Sequence, residues 1–121
     1  MNLNAIELKT FVPARDFNES LHFYETLGFS KRYADDELAY FAYGEHISFF
    51  VQNLYHPDWA NHAVLHLLVE NLSDWHQHLT QLDLKTRFNL EVSAISYQPW
   101  GMLECHLLDP SGVLIRVAQN I

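Results

Sequence analysis

The feature that most constrains this chain is a repetition of order at a constant spacing of 55 residues: Asp16 and Phe17 correspond to Asn71 and Leu72, Tyr24 to Leu79, Leu27 to Leu82, and Phe29 to Leu84. Few residues are identical, so the pattern repeats rather than the sequence. In the first half, residues 5–12 read as a strand that Pro13 interrupts, and Asp16 opens a helix with the capping pattern D-x-x-E through Glu19. Phe17, Leu21, Tyr24 and Leu27 share one helical face, and Gly28 supplies a left-handed stop. Three β-rich runs follow at residues 29–33, 37–43 and 46–52. The second half repeats this order, with a strand at 63–69 and a helix from Asn71 that carries Leu72, Trp75, Leu79 and Leu82 on one face. After a less regular stretch through Lys85 and Asn89, strands are expected at 92–97, 102–108 and 113–118. The tight turn Asp109-Pro110-Ser111-Gly112 joins the last two.

The order βαβββ thus occurs twice, in modules of about 5–53 and 62–119 within a single domain covering 1–121. Two such halves bury their inner faces most easily as an α+β fold, a curved mixed sheet around a shared cavity. Seventeen aromatic residues and 49% hydrophobic content suffice either to fill a core or to line that cavity. A formal net charge of −8 disfavours nucleic acid and anionic membranes and suits a cationic ligand, although it also serves solubility alone. The single cysteine, Cys105, excludes an intramolecular disulfide and fits a reducing compartment. The polar residues 1–4 lack the signature of a signal peptide, and no apolar run approaches a membrane span, so a cytoplasmic location is expected.

Catalytic constellations are hard to assemble. His62 and His66 have the H-x-x-x-H spacing, but their apolar neighbours argue for a strand, on which residues four apart lie roughly 13 Å from each other. His76 and His78 do not face each other on a helix and read as surface residues. Cys105 reads as a buried structural thiol, and His106, its neighbour on a strand, points to the other face. The binding residues are easier to nominate. Trp100, between Pro99 and Gly101, is held at a strand entrance where its ring can stack on a planar or cationic group. Phe49 and Phe50 must alternate, one toward the cavity and one under the helix. Met102, Glu104 and His106 share a strand face, and Glu104 suits a cationic ligand if that face is inward. Lys9 and Arg116, if inward, pair with Glu7 or Glu104 or select an anionic group.

The strings Pro13-Ala14-Arg15-Asp16-Phe17 and Phe23-Tyr24-Glu25-Thr26-Leu27-Gly28-Phe29, with Gln98-Pro99-Trp100-Gly101-Met102 and Leu108-Asp109-Pro110-Ser111-Gly112, resemble the vicinal oxygen chelate superfamily. That superfamily includes glyoxalase I, extradiol dioxygenases, fosfomycin-resistance enzymes and bleomycin-resistance proteins. F-Y-x-x-L-G-F speaks for the fold, whereas Q-P-W-G followed by D-P-x-G resembles the narrower bleomycin-resistance branch. The resemblance implies an antibiotic-resistance protein: a metal-free homodimer without cofactor or catalytic residue, which sequesters a cationic, bleomycin-like molecule in a groove between subunits. Trp100, Trp59, Phe49, Phe50, Met102, Glu104, His66 and Arg116 are the expected ligand-binding residues. The positions that hold metal in other branches fall here on Lys9, on Val64 or His66, and on Arg116, a set unsuited to a divalent ion. A metal-dependent lyase, isomerase or dioxygenase using His66 is the first alternative. A structural or ligand-responsive dimer is the second.

Overall fold

A computed structural model describes residues 1–121. The first module runs β1 (Phe11–Pro13), α1 (Phe17–Leu27), β2 (Ser30–Ala34), β3 (Leu38–Tyr43) and β4 (Ile47–Gln52). A linking helix, α2 (Pro57–His62), precedes the second module: β5 (Val64–Leu68), α3 (Leu72–Thr80), α4 (Leu84–Phe88), β6 (Ser96–Gln98), β7 (Met102–Leu108) and β8 (Leu114–Asn120). The two four-stranded sheets have equivalent orders, β1-β4-β3-β2 and β5-β8-β7-β6, and in each the first strand is parallel to the last while the others are antiparallel.

The 55-residue spacing is exact at the helix starts. Asp16 accepts the Glu19 N–H at 3.1 Å, and Asn71 accepts the Asp74 N–H at 3.0 Å. Both side chains satisfy an amide that the first helical turn leaves without a backbone partner. Gly28 ends α1 at φ 117°, and its N–H closes on Glu25 at 3.1 Å. A Cβ at this position would meet only ordinary contacts, so the cost of Gly28→Ala is backbone strain. Thermal unfolding should show it destabilised by about 1–2 kcal/mol.

Each sheet has one face against helices. Val12, Phe41, Phe49 and Val51 pack with Phe23, Tyr24 and Leu27 of α1, while Cys105, Leu107, Ile115 and Val117 pack with Leu72 and Leu79 of α3. The aromatic centre is tight: Tyr24 lies 4.9 Å from Phe49 and 5.7 Å from Phe41, ring centroid to centroid.

Four expectations are corrected. The first strand is Phe11–Pro13 rather than 5–12, because pairing with β4 begins at Phe11 opposite Phe50; Leu3, Ile6 and Leu8 before it are exposed. Pro13 does not interrupt the strand but pairs with Gln52. Thr10 and Ala14 are bonded to β4 on either side of it, so the N–H that proline lacks would point to the free edge. The strand expected at 92–97 shrinks to Ser96–Gln98, because the Ser93 hydroxyl takes the His106 N–H at 2.8 Å and displaces the regular ladder. The helices α2 and α4 were unanticipated; both are short, and Pro57 starts the former at a position where a missing N–H is harmless.

Candidate functional site

The faces of the sheets turned away from the helices carry the candidate site. In β7 the alternation puts Met102, Glu104, His106 and Leu108 on this face and Leu103, Cys105 and Leu107 on the other. Register then sets His66 of β5 beside Arg116 of β8, and Arg116 beside His106. The turn from β6 to β7 adds Trp100. Pro99 presets its backbone, the Gly101 N–H closes on Gln98 at 3.0 Å, and Gly101 itself sits at φ 83°.

Glu104 organises this cluster. Its Oε2 accepts the Trp100 Nε1–H at 2.7 Å, and its Oε1 accepts the Arg116 guanidinium at 3.1 Å. His66 Nε2 approaches the same Oε2 at 3.9 Å. The residue is 3% exposed, and with one bond to each oxygen this carboxylate fixes the orientation of Trp100 and Arg116. Arg116 also lies over the Trp100 ring at 5.9 Å, so the indole is held from its N–H and from one face. Even so, Trp100 is 58% exposed, an open aromatic surface on a fixed mount.

The other sheet contributes an aromatic patch. Phe50 stacks on Phe11 at 4.7 Å and meets Tyr40 at 5.3 Å, while Phe49 faces the helices and is 4% exposed. Phe11 and Tyr40 were not singled out from sequence. Tyr40 was accessible to the alternation argument that found Phe50, since the two are register partners. Lys9 lies over Tyr40 at 5.5 Å and pairs with Glu7 at 3.1 Å. Glu7 also accepts the Ser48 hydroxyl, and these bonds hold its carboxyl below the ordinary range. Trp59 is half-buried on α2.

The remaining histidines find local roles. His62 ends α2, so H-x-x-x-H straddles a helix and a strand, and its Nδ1 reaches the Asp58 carbonyl at 2.7 Å. His76 is half-buried and His78 exposed, and their Nε2 atoms reach the carbonyls of Ser93 at 3.1 Å and Leu27 at 2.8 Å. Cys105 is fully buried among apolar side chains, which pushes its thiol pKa up, away from reactivity. A divalent ion does not fit the donors present. Lys9 and Arg116 are cations, and nowhere do three His, Cys, Asp or Glu side chains converge.

A second polar cluster, absent from the sequence reading, joins the modules. Buried Asp109 accepts the Tyr24 hydroxyl at 2.6 Å through Oδ2 and the Ser111 and Val113 N–H groups at 2.8 and 2.9 Å through Oδ1. The Ser111 hydroxyl receives the Arg15 N–H at 2.9 Å and lies 3.2 Å from that of Ser20. The turn of one module is thereby pegged to the helix of the other.

No family sequence model and no curated protein matches the chain. Solved structures do. A bleomycin resistance determinant encoded on transposon Tn5 is 26% identical, with a TM-score of 0.76 over 95% of this chain and 98% of that one. A bleomycin-binding protein complexed with bleomycin is 25% identical, with a TM-score of 0.77 over 97% and 100%. A bleomycin-binding protein from Streptomyces verticillus, complexed with copper(II)-bleomycin, superposes with a TM-score of 0.83 over 99% and 100%; at 18% identity it speaks for the fold alone. With its doubled βαβββ topology and these neighbours, the chain has the glyoxalase/bleomycin resistance fold of the vicinal oxygen chelate superfamily.

Proposed function

We propose that this protein binds and sequesters a cationic or aromatic antibiotic-like small molecule, of the bleomycin type, without altering it. The observation that carries the reading is the exposed Trp100 ring, braced by Glu104 and Arg116 on a helix-free sheet face. Likeness to one structure described as a bleomycin resistance determinant and to another described as a bleomycin-binding protein complexed with bleomycin supports it. A planar group stacks on Trp100, with Met102, His66 and Arg116 beside it and Phe50 supplying aromatic surface from the other sheet. Glu104 positions Trp100, and attraction for a cation comes from the net charge of −8 acting over the whole surface. Phe49 supports the patch from beneath, and Trp59 of α2 forms an outer wall.

The binding unit is a homodimer, metal-free and cytoplasmic. Leu3, Ile6 and Leu8 on an extended arm, and Val64, Leu68 and Leu108 on the helix-free face, are apolar surface that a lone chain leaves in water. Sedimentation should therefore report a two-chain particle. No helix is long and apolar enough to cross a membrane.

The test is to incubate the protein with bleomycin, denature it, and examine the recovered drug. Sequestration predicts protection of DNA from cleavage while protein is folded, and return of drug with unchanged mass and full DNA-cleaving activity after denaturation. Recovered drug of altered mass, above all if the protein alters it only when a divalent metal is added, would replace this reading with an enzymatic one.

A further inference from the structure

A groove of about 300 Å³ opens where the ends of α1 and β3, in the first module, meet α3 of the second. Leu27, Gly28, Tyr43, Asp74, Trp75 and His78 line it. Tyr43 follows Phe41 in the helix-facing alternation of β3, so the groove belongs to the helix side of its sheet. Trp100, Glu104 and Arg116, on the helix-free side, take no part in it. Two aromatic rings form its walls. Tyr43 and Trp75 lie 5.5 Å apart, centroid to centroid, and are inclined by 59°, a corner rather than a stack. Phe29 braces Tyr43 at 5.7 Å and His78 braces Trp75 at 5.6 Å, so both rings are fixed before a ligand arrives. Tyr43 is 40% exposed and Trp75 half-buried, which leaves ring surface free.

The charge around this corner favours a cation. Asp74 gives its backbone N–H to Asn71, while its carboxylate has neither a hydrogen bond nor an ion pair within the chain. No lysine or arginine lines the groove. The last turn of α1, which ends there, carries no basic residue, and the carbonyl end of a helix bears partial negative charge. The kind of cation follows from the hydrogen bonds already made. A primary ammonium brings three N–H donors to satisfy, and the Leu27 carbonyl is taken by the His78 Nε2–H at 2.8 Å. A quaternary ammonium donates none, and its methyl groups pack on ring faces that attract its charge. We propose that the groove is a second ligand site, which takes a small molecule bearing a quaternary ammonium group. The methyl groups sit in the corner of Tyr43 and Trp75, and the Asp74 carboxylate neutralises the charge from the open side. This site stands independently of the antibiotic surface around Trp100.

Three probes test the proposal: choline, its uncharged analogue with a tert-butyl group in place of the trimethylammonium, and ethanolamine, which keeps the charge and lacks the methyl groups. NMR titration at pH 8, above the range in which imidazoles ordinarily carry charge, follows the indole ring protons of Trp75. Choline should saturate their shift at one site per chain and bind about tenfold or more tightly than either of the other two, the factor expected of a cation held by two rings and a carboxylate. Tyr43→Leu and Asp74→Asn, both at exposed positions, should each lower choline affinity by about threefold or more, and Asp74→Asn should leave that of the uncharged analogue unchanged. Trp100→Ala, which removes the anchor of the antibiotic surface, should leave choline affinity unchanged. Equal affinity for the three probes, no saturation by choline, an unchanged choline affinity in Tyr43→Leu or Asp74→Asn, or weakened choline binding in Trp100→Ala would each overturn it.

Discussion

Asp109→Ala is expected to lower stability by about 3–5 kcal/mol, because three buried donors lose their acceptor at once. Those donors are the Tyr24 hydroxyl and the N–H groups of Ser111 and Val113, and with residue 109 only 2% exposed no water replaces the carboxylate easily. The midpoint of thermal unfolding should fall by about 10 °C or more. The peg is also an inter-module contact, so both modules should loosen together in hydrogen exchange. A loss below about 1 kcal/mol would mean that the peg contributes little beyond the apolar core.

The same residue sets a pH dependence of definite sign. Burial raises the Asp109 pKa above its ordinary 3.8, outweighing the bonds from Tyr24, Val113 and Ser111 that lower it. The folded state therefore holds this proton more tightly than the unfolded state does. The stabilisation from it is complete below the unfolded value and disappears as pH rises through the raised folded one. Relative to Asp109→Asn, which does not titrate, the natural protein should gain stability as pH falls from 7 toward 4. Urea unfolding of both proteins across this window measures it; a constant difference would contradict the raised pKa.

Trp100→Ala should weaken bleomycin binding by about 10–100-fold, the effect of removing a central aromatic anchor. Stability should change little, since the ring is 58% exposed and contributes modestly to the core. Trp100→Phe keeps a ring but loses the N–H that Glu104 accepts at 2.7 Å, so it should fall between the two. If both variants bind as the natural protein does, the ligand sits elsewhere.

The doubled topology was legible because its signals are local. Caps at Asp16 and Asn71, the stop at Gly28, and strand alternation through Met102–Leu108 each depend on neighbours in sequence. Two of the quoted strings turn out to touch: Tyr24 of F-Y-x-x-L-G-F bonds Asp109 of D-P-x-G, so these motifs serve the fold. That contact joins residues 85 positions apart, beyond any periodicity argument. The extent of the first strand was not legible for a similar reason. Residues before Phe11 have strand character but no partner strand within the chain. At the site, Pro99 and Gly101 pointed to a strand entrance for Trp100, and alternation put Met102, Glu104 and His106 on one face, but the partner of Arg116 stayed open between Glu7, Glu104 and a ligand anion. The bonds of Glu104 to both Trp100 and Arg116 were not legible, because they depend on side-chain reach across two strands and a turn.

The central claim, that the surface around Trp100 holds the ligand, is tested most directly by titrating the protein with bleomycin while following tryptophan emission, in the natural protein and in Trp100→Phe. The account predicts saturable quenching at about one equivalent per chain in the natural protein, and loss of most of that quenching in the variant, as expected of a ligand stacked on one indole. Saturable quenching of equal amplitude and affinity in both would place the ligand near Trp59 or Trp75 and contradict it, as would the absence of saturation in either.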